Sequence, residues 1–182
     1  MQRREGGQTL LELTIVVGIT VIVVTALVFA TIFSLRNAQL AKNQTQATKL
    51  AQEGLERVRS GRSRNLPITG IGSVTSWNGD TSGAGAIWSY TINGNCGNTT
   101  LPTPTYCYFT LSSKTSDNSL NYLAVSDKFP VSSSVEKIDQ FERAIIISDG
   151  SSASEKKVTS VVKWTDAAGP HEAKVTTILG KL

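Results

Sequence analysis

The chain has 182 residues, a formal net charge of +4, one histidine and two cysteines, a length that fits one globular domain plus a further segment. With only His171, Cys96 and Cys107 to draw on, the Cys/His spacing of a zinc site and a Cys-x-x-Cys redox pair are absent, and Gly70-Ile71-Gly72 and Gly83-Ala84-Gly85 lack the rest of a phosphate-binding loop. Charge is concentrated: +1 over residues 1–7, −1 over 8–35, +5 over 36–64 and −1 over 65–182, so the basic body that nucleic-acid binding asks for is not expected.

From Leu13 to Leu35 the chain runs 23 residues without a charge, which meets the roughly 20 residues needed to cross a bilayer as a helix. A secretory signal peptide has an apolar region of only about 7–15 residues followed by a break. Here the helical pattern continues past Ala26 and Ala30 with no Pro or Gly.

Beyond Arg36 the sequence turns polar but keeps a helical period in Leu40, Ala47, Leu50, Ala51, Leu55 and Val58. The first proline is Pro67, and Gly61 after Arg57 and Arg59 reads as the stop. One helix over residues 8–60 would be roughly 80 Å long, its first half suited to lipid and its second to a protein surface. Glu12 interrupts the head of the apolar run, where an unpaired carboxylate in hydrocarbon costs about 2.5–3.5 kcal/mol. Two readings stand: Glu12 sits at headgroup depth near the helix start, or a positive group comes to meet it.

The stretch Gly6-Gly7-Gln8-Thr9-Leu10-Leu11-Glu12-Leu13, after Arg3-Arg4 and before the apolar helix, resembles the class III signal of type IV pilins and pseudopilins. The resemblance implies a leader, residues 1–7, removed after Gly7 by a membrane prepilin peptidase. Gln8 becomes the first mature residue and the site of N-methylation, where the family usually has Phe, and Glu12 becomes the fifth. Residues 47–59 are similar to PilV-like minor pilins and to the I-type pseudopilins of type II secretion. The resemblance further implies a cytoplasmic N-terminus. It also gives Glu12 a partner, the freed amine of Gln8 in the same or a neighbouring subunit, so that Glu12 acts as an assembly register.

Residues 61–182 are rich in Gly, Ser, Thr and Asn, with short β-like runs between turn signals. Strands are expected over 86–92, 106–111, 121–125, 141–148, 157–165 and 173–179. In the last two, Val158, Ser160, Val162, Trp164 and Ala173, Val175, Thr177, Leu179 share a core face, with Lys163 and Lys174 on the other. Residues 166–170 form the turn between them. On the outer side of the membrane that the resemblance implies, Cys96 and Cys107 are expected to form a disulfide rather than two free thiols, stabilising a loop-rich stretch by about 2–4 kcal/mol.

His171 beside Glu172 reads as an exposed bystander rather than half of a catalytic pair. Trp77, Trp88, Tyr90, Tyr106 and Tyr108 read as core packing rather than a sugar-binding patch. Arg57, Arg59, Arg62 and Arg64 are read as capping, headgroup or subunit contacts before DNA phosphate contacts.

Together these readings predict an α+β chain: leader 1–7, long helix 8–60 with a transmembrane segment at 13–35, and an extracytoplasmic antiparallel β head at 61–182. The expected function is a structural subunit, a minor pilin of a type IV pilus or a secretion pseudopilus. Its expected partners are the inner membrane, prepilin peptidase, other pilin subunits in a helical filament and, indirectly, the assembly platform and its ATPase. No catalytic residue, cofactor or metal is expected, and nucleic acid is not an expected partner. The alternative is an uncleaved, single-pass, membrane-anchored extracytoplasmic binding protein.

Overall fold

The computed structural model describes residues 8–97, 102–112, 118–130 and 135–181; the expected leader, with Gly7, lies outside them. Helix α1 spans Gln8–Ser63, and the chain divides into two compact units, Met1–Asn43 and Gln44–Leu182. The second unit contains strands β1 (Ile68–Thr69), β2 (Tyr106–Leu111), β3 (Leu120–Ser126), β4 (Glu136–Ile138), β5 (Phe141–Asp149), β6 (Glu155–Asp166) and β7 (Gly169–Gly180), and a short helix α2 (Ile92–Asn95). They form one sheet in the order β1-β3-β2-β5-β6-β7, with β4 also on β5. Every pairing is antiparallel except β1 with β3. A long, N-terminally apolar helix whose C-terminal turns pack on a mostly antiparallel sheet is an α+β arrangement.

The last five turns of α1 show why this helix fits this sheet. Its buried positions are Ala47, Ala51, Gly54, Leu55, Val58 and Gly61, the i, i+4, i+7 and i+11 spacing of one helical face. Four of the six are Ala or Gly, so the backbone approaches the strands closely. A Cβ on Gly54 would lie 2.6 Å from Ser160 Oγ and 3.1 Å from Arg143 Cδ. Gly61 is not the stop expected from the sequence; it lies inside the helix, and a Cβ there would lie 2.8 Å from the Asn118 carbonyl, which accounts for the glycine. The helix ends instead at Ser63, with Asn65 just beyond it at φ 51°. Leu66 N–H donates to Gly61 O at 2.9 Å and Asn65 N–H to Arg62 O at 3.1 Å, the paired bonds of a left-handed C-terminal cap.

Arg143, in the middle of β5, is 1% exposed. Its Nε and Nη2 both donate to the Glu136 carboxylate on β4 at 2.8 Å, and its Nη1 donates to Leu50 O of α1 at 2.8 Å. Arg57 of α1 reaches the same carboxylate at 2.9 Å and also donates to Asn118 and to Ser112 O. Helix, β4 and β5 therefore meet on one shared carboxylate.

One core cluster packs Leu55 and Val58 with Trp77, Ile87, Phe109, Ile145, Val158 and Leu179, and a second packs Ala47 and Ala51 with Phe141, Val162, Trp164 and Ala173. The expected alternation on β6 and β7 holds, with Val158, Ser160, Val162, Trp164, Ala173 and Leu179 buried and Lys174 exposed. The turn between them is tighter than expected, a loop of Ala167 and Ala168 in which Asp166 accepts the Ala168 amide at 2.8 Å.

The strand expected over 86–92 is not one. Ile87–Ser89 is a 3₁₀ turn, followed by α2. The Asp149 carboxylate accepts the Ile92 and Asn93 amides at 3.2 and 2.9 Å, so donors a ladder would use are taken by a side chain.

Gly54 gives a test of sign. In a soluble fragment of residues 36–182, helix propensity alone makes Gly54→Ala stabilising by about 1 kcal/mol. The contacts at Ser160 and Arg143 predict the opposite, a loss of about 1–3 kcal/mol by overpacking, read as a lower urea midpoint.

Candidate membrane and assembly helix

The first unit contains the apolar part of α1. Its most apolar 18-residue window has a mean hydropathy of 2.8 with none of it buried, making α1 the one helix among the described residues long and apolar enough to cross a membrane. Leu10, Leu11, Val16, Ile22, Leu27, Phe33 and Leu35 are each more than half exposed. Four threonines of this stretch have hydroxyls that are satisfied internally. Thr14, Thr20, Thr25 and Thr31 donate to the carbonyls of Leu11, Val16, Val21 and Val28, each at 2.8 Å. That is what hydrocarbon demands of a hydroxyl with no water beside it.

Gln8 opens α1, and Glu12 lies on its exposed surface just past the first turn, which carries no acidic residue. Favourable interaction with the helix dipole falls off within that turn. Among the described residues Glu12 makes no ion pair. It is the one charged residue between Gln8 and Leu35.

Cys96 and Cys107 are disulfide-bonded, with Cα atoms 5.7 Å apart, and both are buried. The bond ties the segment after α2 to β2.

The remaining residues singled out by sequence are placed by packing. Trp77, Trp88 and Tyr108 are buried, and the rings of Trp77 and Trp88 lie 5.7 Å apart in the core, tilted by 46°. His171 lies 5.3 Å from Trp164, nearly parallel to it, and bonds Asp166 at 2.9 Å. Arg57 points into the protein, Arg59 bonds Glu56 at 2.5 Å, and Arg62 donates to Gly180 O at 2.9 Å. Arg64 is exposed.

Residues that sequence reasoning passed over include Glu136, Arg143, Asp149 and Lys156. A lone arginine inside the run Phe141–Ser148 was the available sign, since a cation in an apolar strand must find a carboxylate. The sheet face away from α1 carries a groove of about 620 Å³, lined among others by Tyr106, Tyr108, Lys157, Thr159, Lys163 and Glu172. Burial, with Glu172, Tyr106 and Asp127 nearby, pushes the Tyr108 phenol up to about 12. Burial raises the Glu172 carboxyl, but bonds from Lys174 and Lys163 outweigh it and hold the group below its usual range.

No family model, curated protein or solved structure matches the chain.

Asp149 supplies a pH test. Burial raises its carboxyl, yet the hydrogen bond from Lys156 at 2.6 Å and those from the Asn93 and Ile92 amides outweigh burial and hold it below the usual carboxylate range. A depressed folded value stabilises the fold fully above the unfolded value of about 3.9, and that stabilisation is lost as pH falls through the folded one. Asp149→Asn should therefore be less stable at neutral pH and lose stability less steeply on acidification, measured as the urea midpoint between pH 7 and pH 2.

Proposed function

We propose that the chain is a structural subunit of the type IV pilin and pseudopilin kind, most like a minor pilin. It is made with a leader, residues 1–7, is cut between Gly7 and Gln8 by prepilin peptidase, and is N-methylated at Gln8. It is held in the inner membrane with its N-terminus cytoplasmic, and then passes into a helical filament driven by the assembly platform and its ATPase. The observation that carries this reading is the exposed apolar surface of α1 from Leu10 to Leu35, broken once, by Glu12. Lipid and then neighbouring helices would cover it in turn. The second reading, an uncleaved anchored binding protein, draws on the groove of the outer sheet face.

Intact mass after coexpression with a prepilin peptidase separates the two. Mature protein should begin at Gln8, and Gly7→Val should leave the leader on. Assembled filaments that begin at Met1 would remove the first reading.

Glu12 tests the mechanism within it. A buried charge that loses its partner costs about 3–5 kcal/mol, which converts to two or more orders of magnitude in incorporation. Glu12→Val should keep insertion and cleavage but reduce the ratio of sheared-filament to membrane-pool subunit by that amount, with Glu12→Gln milder. An unchanged ratio would make Glu12 a helix-start residue only.

A further inference from the structure

The sheet face away from α1 is covered at one end, where Phe129 and Val135 pack on Tyr108, Ala144, Ile146 and Val161, and is open beside them. The register sets Tyr108, Ile146, Thr159 and Thr176 side by side across β2, β5, β6 and β7, along the groove of about 620 Å³ described above. A second hollow of about 530 Å³, which reaches Ile178 on β7, shares Asp149, Lys157 and Thr176 with it. The two are therefore continuous, a site longer than one small ring, and Lys157 stands at their junction.

Charge on this face is balanced from within at every other position. Glu172 is held by Lys163 and Lys174, and Asp149 by Lys156. Asp127 and Lys128, adjacent in sequence, cancel in net charge. Lys157 is exposed and makes no ion pair among the described residues, and its cross-strand neighbours, Ser148 and Ile178, carry no charge. One uncompensated cation between two hollows, with carboxylates further along each, suits a ligand whose single anionic group has neutral groups on both sides.

Hydroxyls narrow the class. Thr159 and Thr176 share a hydrogen bond at 2.9 Å at the surface; two hydroxyls bonded once keep a free O–H and acceptor lone pairs, which suits a partner that both donates and accepts. Tyr106, half-buried on the same face, offers an aromatic surface to the apolar side of a sugar ring. A peptide fits less well, because β5 and β6 are paired on both sides and leave no open backbone for strand addition here. Nucleic acid fits less well again, since its evenly spaced phosphates would meet Asp127, Asp149 and Glu172 along with Lys157.

We propose that this groove binds an acidic oligosaccharide in which a uronate lies between neutral sugars, the carboxylate on Lys157, hydroxyls on Thr159 and Thr176, and a ring against Tyr106. The site lies within the second unit, Gln44–Leu182, so the proposal does not depend on cleavage or assembly; it names a ligand class for the groove on which the second reading draws.

The test is calorimetric titration of the full-length chain, in a polyoxyethylene detergent that carries no sugar, with a hyaluronan tetrasaccharide. Binding should saturate at one site per chain with a Kd below about 1 mM. The methyl ester of the same sugar, which keeps the hydroxyls and lacks the charge, should bind at least tenfold more weakly, and so should the unmodified sugar to Lys157→Gln, which loses a charge-assisted bond. Tyr106→Ala should cost at least tenfold, with Tyr106→Phe and Lys181→Gln, the latter outside the groove, unchanged. No saturable binding would overturn the proposal, as would equal affinity for acid and ester or an unaltered Lys157→Gln. A hexaglutamate peptide that competes at equal affinity would overturn it in favour of an acidic peptide. Variants are compared with Cys96–Cys107 intact and the head trypsin-resistant; if Tyr106→Ala fails that check, the ester and Lys157→Gln decide. Absent binding leaves the cleavage and filament tests untouched, and binding by the uncleaved Gly7→Val chain leaves this proposal standing if those tests fail.

Discussion

The attachment of α1 to the sheet turns on one carboxylate. Glu136 is 11% exposed in its side chain and is shared by Arg143, at 1%, and Arg57, at 10%. The helix face that meets the sheet is mostly Ala and Gly, which bury little apolar area per residue, so hydrophobic burial alone holds this segment weakly. The ionic clamp offsets that weakness only while it is complete. Breaking a buried pair leaves a guanidinium with no counter-charge, at about 3–5 kcal/mol, and here one lost carboxylate would strand Arg57 and leave Arg143 with only a half-exposed partner. Glu53, 3.6 Å from Arg143 and half exposed, supplies a second negative charge at the rim.

The small residues and the clamp depend on each other. Arg143 can reach the Leu50 carbonyl because Gly54 leaves room beside its Cδ, and a glycine in mid-helix is tolerated because Arg143 and Ser160 occupy the space a methyl group would take. Sliding α1 along the sheet by one turn would set Ala or Leu against Arg143 and separate Arg57 from Glu136. Register is thus fixed by shape and charge together, which is the attested use of buried polar contacts.

Much of this was legible in sequence, and most of the failures have a cause that lies far along the chain. The α1 period and the β2, β5, β6 and β7 runs follow from local pattern and length, and the disulfide from the outer-side location that the resemblance implies. The strand expected over 86–92 failed because the Ser89 and Tyr90 amides close a 3₁₀ turn on the Ala86 and Ile87 carbonyls, and Asp149, far along the chain, takes the amide of Ile92. Gly61 read as a stop because its reason for being glycine, the Asn118 carbonyl, is equally remote. Arg57 offered a list of surface roles because its partner, Glu136, lies 79 positions away. β1 and β4, at two and three residues, are too short to carry a period. At Gly61, Arg57 and Ile92 what stayed hidden was a long-range contact, for which a single sequence holds the groups but no pairing.

Glu136 and Glu12 pose the same electrostatic problem with different means of solution. Glu136 is removed from water inside one chain and is met by two arginines of that chain. Glu12 stands in a stretch that contains no cation from Gln8 to Leu35, so in lipid or among packed helices its counter-charge must come from a terminus or from another molecule. Hydration suffices for it at the headgroups, where the cost is small; at depth the cost rises to a few kcal/mol. On the reading proposed above, a carboxylate neutralised only on arrival beside a partner would favour the assembled position over the membrane pool by that difference, so that a residue that weakens anchoring as a monomer would strengthen selection of one axial position in a bundle.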